Sequence, residues 1–179
     1  IRFQSMKTAA RSSDLDLVNL IRLHQVGVWR YLRVLGCEPT QADDLTQETF
    51  LTVLEKPFVN INEAATAAYL RTVARNLFVS WLRREGKNVS LEEFDLLDGQ
   101  WSRMASEDGG NLLMTALESC LETLRPQARQ AVDLRFQDRR SRAEIAQALE
   151  LTEDGAKNLL QRAKQRLKEC IERKLDAIQ

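Results

Sequence analysis

Between residues 70 and 81, apolar side chains fall at Leu70, Val73, Ala74, Leu77 and Trp81, the i, i+3, i+4, i+7, i+11 spacing of one face of an α-helix. The same spacing recurs in nearly every segment with a readable period. β-Branched residues alternating with polar ones between turn residues are missing. Such a chain buries itself by packing helix on helix, so the expected fold class is all-α. With 179 residues, 44% of them hydrophobic, it can bury two small cores, which sets aside disordered and fibrous classes.

The first helix or helix pair is expected from Asp14 to about Gly36, burying Leu17, Leu20, Ile21, Val28, Leu32 and Leu35, with Gly36 and Pro39 stopping it. The opening IRFQSM resembles the remnant of a cleavable tag, which places the expected natural start at Met6. Thr40 is expected to cap a second helix that runs to Lys56, with Asp43 near the positive end of its dipole and Ala42, Leu45, Val53 and Leu54 inward. A third helix is expected from Ala64 to Glu85. These three form an N-terminal bundle at residues 7–85.

From 86 to 110 the helical pattern fails and acids outnumber bases, so an acidic linker is expected. Its apolar Leu91, Phe94, Leu96, Leu97 and Trp101 imply that part of it docks on something. A second helical unit is expected over 111–179. There Pro126 opens a helix, Ser141 and Glu144 have capping-box spacing, and Thr152 caps a long last helix. A short helix, a turn of about four residues and a long basic helix have the outline of a helix-turn-helix.

Total charge is uninformative, because 26 Lys and Arg balance 26 Asp and Glu; the position of the charges matters instead. In the last helix Ala156, Leu159, Leu160, Ala163, Leu167 and Ile171 take the inward face. Lys157, Gln161, Lys164, Gln165 and Lys168 line the outward one, flanked by Arg162 and Arg166. Long cations neutralise phosphates, and amides near the helix start read base edges. The third helix carries Arg71, Arg75, Arg83 and Arg84 with no acid from Ala64 to Arg84. Before it, Phe58, Asn60 and Asn62 lie in a proline-broken loop and offer stacking and hydrogen bonds to an unstacked nucleotide; taken alone, such a loop is more commonly an ordinary Asn-containing turn. The second helix has the opposite sign: Asp44, Gln47, Glu48 and Leu51 share a stripe that fits a basic protein partner or, equally, plain solvent.

Cys37, Cys120 and Cys170 are widely separated and lack metal or redox-pair spacing, so three thiols in a reducing compartment, with no metal and no cofactor, are expected. No run is apolar enough for a membrane span, and a cytoplasmic location without membrane insertion is the default expectation. His24 has no acid–base or nucleophile constellation around it, and Trp29, Trp81 and Trp101 are expected to pack, so no enzymatic activity is expected.

At this point the residues amount to a family resemblance. ADDLTQETFLTVLEK is similar to the helix by which bacterial sigma factors grip RNA polymerase, and YLRTVARNLFVSWLRRE resembles their promoter-melting helix. LRPQARQAVDLRFQDRRSRAEIAQALELTEDGAKNLLQRAKQRL resembles their −35-reading domain. The likeness runs from Asp14 to Lys168, the linker excepted, and is to the small extracytoplasmic-function (ECF) group. It implies a sigma region 2 like bundle and a sigma region 4 like helix-turn-helix domain, with core RNA polymerase (β′ coiled coil and β flap), promoter DNA and an anti-sigma factor or other inhibitory regulator as partners.

By that resemblance Asp44, Gln47, Glu48 and Leu51 belong to the polymerase contact, with Phe50 supporting the helix from below. The loop from Pro57 to Glu63 captures a flipped −10 base, while Arg71, Arg75, Asn76 and Arg83 hold the melted strand. Lys157, Asn158, Gln161, Arg162 and Lys164 face the −35 duplex, and the linker threads toward the RNA exit path. The chain departs from the family at Ser80, where an acid is frequent, at Glu150, where Gly is frequent, at Gly155-Ala156 in place of Thr-Val, and at Leu159 in place of a basic residue. These departures imply an unusual −35 preference or a shifted docking angle. Free protein is expected to bind promoter DNA poorly. Two alternatives remain: a helix-turn-helix regulator that acts without polymerase on a palindromic site, and a helical protein-binding adaptor with no salt-dependent DNA affinity.

Overall fold

The computed structural model describes residues 4–55, 62–105 and 110–177, with side chains from Leu17 onward. Among the described residues there are eight helices and no strand. α1 (Gln4–Val34) starts ten residues before the expected Asp14. It ends on Gly36 at φ 86°, where Cys37 N–H donates to the Leu32 carbonyl and Gly36 N–H to that of Arg33. This left-handed cap satisfies carbonyls that the end of a helix leaves open.

α2 (Pro39–Leu54) takes Pro39 in its first turn, with Glu38 as the N-cap. Thr40 is therefore not the cap: a proline ring already has helical φ and lacks an N–H that would need a partner, so the helix begins before the threonine. Ala42, Leu45, Phe50 and Val53 are buried, as are Thr46 and Thr49, whose hydroxyls donate to the Ala42 and Leu45 carbonyls at 2.7 and 2.6 Å. Leu54, expected inward, is 49% exposed, because a residue directly after buried Val53 sits 100° around the helix and leaves the core stripe.

α3 (Glu63–Arg84) is capped by Asn62, whose side chain accepts from Ala65 N–H at 2.8 Å. Its fully buried line is Thr66, Leu70, Ala74, Phe78 and Leu82, while Val73, Leu77 and Trp81 are half-buried. The fully buried line is thus shifted by part of a turn from the expected seam: it keeps Leu70 and Ala74, while Val73, Leu77 and Trp81 still pack on the core, and the helix lies chiefly against α1 and α2.

A fourth helix, α4 (Leu91–Met104), occupies the segment expected as an unpatterned linker. Ser90 caps it, and Phe94 and Trp101 are buried, with Leu97 and Met104 half-buried on the same side. Phe94 meets Phe78 edge-on at 6.0 Å between ring centroids, and Trp101 meets Tyr31 at 5.5 Å. The cap and this spacing were present in the sequence, but the density of acids and Gly99 concealed them.

α5 (Asn111–Glu122), α6 (Pro126–Phe136), α7 (Arg142–Ala148) and α8 (Glu153–Asp176) complete the chain. The Ser141/Glu144 capping box and the Thr152 cap are both formed. A second small core of Ala131, Ile145, Ala146, Leu149, Ala156 and Leu160 holds the helix-turn-helix, whereas Leu113, Ala116, Cys120 and Ile171 join the core of the first four helices. Cys120 and Cys170 form a disulfide between α5 and α8 with Cα atoms 6.0 Å apart, which corrects the expectation of three thiols. Their sequence separation of 50 carries no pairing signal; antiparallel packing of the two helices brings them together. Cys37 is free and buried.

Candidate nucleic-acid interface

On α2 the helical period puts Asp44, Gln47, Glu48 and Leu51 on one exposed stripe, with Leu51 61% exposed and Phe50 buried beneath at 5%. Phe58 and Asn60 lie outside the described residues. Asn62 is exposed but already engaged as the α3 cap, so its carbonyl oxygen serves the backbone.

Arg71 and Arg75 stand one turn apart on α3, as their spacing requires, and both face α4. Arg75 Nη2 lies 2.5 Å from Asp95 Oδ1; Arg71 Nη2 donates to Ser102 Oγ at 3.3 Å, and its Nε lies 3.9 Å from Asp98 Oδ1. The Arg71 and Arg75 side chains are 17% and 22% exposed. Asn76 and Arg83, farther round the helix, are exposed. Burial raises the Tyr31 phenol well above its usual range, and the neighbouring Asp98 carboxylate adds to this.

In α8, Lys157, Asn158, Gln161 and Arg162 are exposed, and the Arg162 guanidinium donates back to the Asn158 carbonyl at 3.3 Å. Lys164 turns instead to α4: its Nζ is 3.0 Å from Glu93 Oε1 and 5.3 Å from the centroid of Phe136. Arg135 of α6 takes the same carboxylate, with Nη2 2.9 Å from Glu93 Oε2. Burial would raise the Glu93 carboxyl, but these two cations hold it below the ordinary value.

Sequence reasoning did not single out Arg139, in the turn between α6 and α7. It adopts φ 55° and is 5% exposed; its guanidinium lies 5.0 and 5.4 Å from the centroids of Phe94 and Phe78 and donates to the Leu35 carbonyl. Two aromatic faces and a carbonyl replace part of the water that this cation loses, while its Nε is buried without a hydrogen-bond partner. Burial lowers its pKa to about 10, so it stays charged at neutral pH. Gly36 permits this approach: a Cβ there would lie 2.3 Å from the Phe136 carbonyl oxygen. No local pattern announces such a plug, because every partner is remote in sequence. Beside it, a cleft of about 440 Å³ lined by Leu97, Leu117, Leu121, Phe136 and Leu167 remains between α4 and the C-terminal helices.

The surface thus carries an anionic stripe on α2 and an exposed row of cations and amides at the start of α8, whereas Arg71 and Arg75 of α3 are paired with acids of α4. A model of Sigma-70 region 2 matches residues 20–88, and one of Sigma-70 region 4 matches residues 114–167. The chain belongs to the ECF sigma factor family. It is 30% identical over 175 residues to the ECF RNA polymerase sigma factor BldN of Streptomyces coelicolor, covering 88% of this chain but 66% of that relative. It is 24% identical over 163 residues to the ECF sigma factor SigM of Bacillus subtilis, covering 89% of this chain and 97% of that protein. A co-crystal structure of the sigma factor RpoE with the anti-sigma factor NepR from Bartonella quintana aligns over 90% of this chain and 98% of that one, at 21% identity and a TM-score of 0.39. α4 lies between the two matched regions. No described helix is long and apolar enough to cross a membrane.

Proposed function

We propose that this sigma factor binds core RNA polymerase and directs it to promoters, reading a −35 element with the α7–α8 helix-turn-helix and a −10 element with α3 and the loop before it. Residues 7–85 carry polymerase binding and melting, residues 111–179 carry −35 recognition, and 86–110 connect them. Asp44, Gln47, Glu48 and Leu51 meet the β′ coiled coil, and the C-terminal unit meets the β flap. Phe58, Asn60 and Asn62 capture a flipped base, Arg71, Arg75, Asn76 and Arg83 hold the strand, and Lys157, Asn158, Gln161, Arg162 and Lys164 meet the duplex. An anti-sigma factor is the further partner proposed on family grounds.

The observation that carries this reading is the sorting of charge by helix. The exposed acids of α2 fit a basic protein surface, and the exposed Lys157, Asn158, Gln161 and Arg162 at the start of α8 fit phosphates and base edges. Opening base pairs costs a few kcal/mol, and captured bases and strand contacts offset it while polymerase holds the DNA. Run-off transcription with core polymerase on DNA upstream of its own gene tests the reading. A promoter-specific transcript that depends on the protein is expected. Asp44→Arg is expected to weaken core association about tenfold or more, and Arg75→Ala to impair opening with core binding retained. The absence of both a promoter-specific transcript and a complex with core, over a range of salt, would refute the proposal.

A further inference from the structure

α4 has three sides, each with a different task. Phe94, Leu97, Trp101 and Met104 form the side packed into the core. Asp95, Asp98 and Ser102, at i, i+3 and i+7, form a second side that meets Arg75 and Arg71 as α4 runs antiparallel to α3. Glu93 points from a third side to Arg135 and Lys164 of the helix-turn-helix unit. The acids of one short helix therefore neutralise cations of both DNA-facing units at once. Arg139, wedged on Phe78 and Phe94, pins the helix in this place.

We infer that α4 is an internal competitor for nucleic acid: in the free protein Asp95 and Asp98 occupy the positions that strand phosphates take on Arg75 and Arg71, while Glu93 holds Lys164 off the duplex. The inference rests on the reading of Arg71 and Arg75 as strand contacts. It has a specific electrostatic consequence. A cation held by a fixed carboxylate neutralises no phosphate, so the counterions condensed at that phosphate stay on the DNA, and the masked protein binds DNA both weakly and with a shallow salt dependence. Docking on polymerase relieves the mask by separating the two units and lifting α4 as one piece, since its acids and its apolar side are on the same rigid helix.

The test measures fluorescence anisotropy of a labelled single-stranded DNA of about 20 nucleotides with the full chain at several salt concentrations. Asp95→Asn/Asp98→Asn is expected to bind about fivefold to tenfold tighter than the unmodified protein, from two released surface pairs. Its plot of log K against log salt is expected to be steeper by about 1.4, for two phosphates on a single strand. Adding Arg71→Ala/Arg75→Ala is expected to abolish both changes, and Asp95→Asn alone to give part of each with the fold least disturbed. A charge-matched control, Glu118→Gln/Glu122→Gln on the exposed side of α5, is expected to give neither. An unchanged salt slope, or a gain equal to that of the control, overturns the mask. The underlying site reading is judged separately, by whether Arg71→Ala/Arg75→Ala lowers affinity in the otherwise unmodified chain.

Discussion

Reduction of the Cys120–Cys170 bond should destabilise the protein without altering the contacts of Arg71, Arg75 and Lys164 with α4. The bond closes a segment of 50 residues that contains α6, α7 and most of α8. Loop-closure entropy for a segment of that length gives about 4 kcal/mol of stabilisation, largely by restricting the unfolded chain. For a chain of this size each kcal/mol moves the melting temperature by about 2–4 °C, so reductant should lower it by about 8–16 °C. Thermal and urea unfolding with and without reductant measure the change, and Cys120→Ala/Cys170→Ala should be insensitive to reductant. Thiol titration of the non-reduced, urea-unfolded protein should find only Cys37, which in the folded protein is sealed in the core with its thiol pushed up to about 12 by burial. Three titratable thiols in that experiment, or an unmoved unfolding midpoint, would refute the reasoning.

Glu150 closes α7 at φ 54° in the left-handed slot of its C-cap, so Glu150→Gly should stabilise the protein by about 1 kcal/mol in urea unfolding. Gly36→Ala should do the reverse. Its Cβ would meet the Phe136 carbonyl at 2.3 Å, and hydrogen exchange around Arg139 should accelerate as the helix-turn-helix unit is pushed off the first bundle. The Ser141 hydroxyl and backbone N–H, with Arg140, depress Glu144 from 4.5 to about 2. The capping box should therefore contribute fully above about pH 4.5 and be lost as pH falls toward 2, a helicity change that Ser141→Ala should blunt. His24 is depressed below 6.5 by burial, against the opposing charge of Glu63, so its contribution is present above pH 6.5 and lost below it. His24→Gln should flatten the stability profile in that range.

The likeness to sigma factors was legible because it resides in local pattern: the acid stripe of α2, the arginines of α3, and a capped helix-turn-helix with a basic outer face. Asp44, Gln47, Glu48, Leu51, Lys157 and Gln161 are exposed as their positions on the helical wheel require, since 3.6 residues per turn relates sequence spacing to a face. Phe58 and Asn60 fall outside the described residues. Arg71 and Arg75 were legible as a pair, but not their partners. A row of acids twenty to thirty residues away reads as a solvated linker until its Phe94 and Trp101 find Phe78 and Tyr31.

Helix content, the caps at Ser141 and Thr152, and the division of positive and negative faces were written in the order of residues, because each depends on neighbours within one or two turns. The disulfide between α5 and α8, the burial of Arg139 between two aromatic rings, and the seating of α4 on both α3 and α8 were decided by packing. These contacts join positions 20 to 104 residues apart. Whether they form depends on where whole helices come to rest, and no spacing along the chain encodes that.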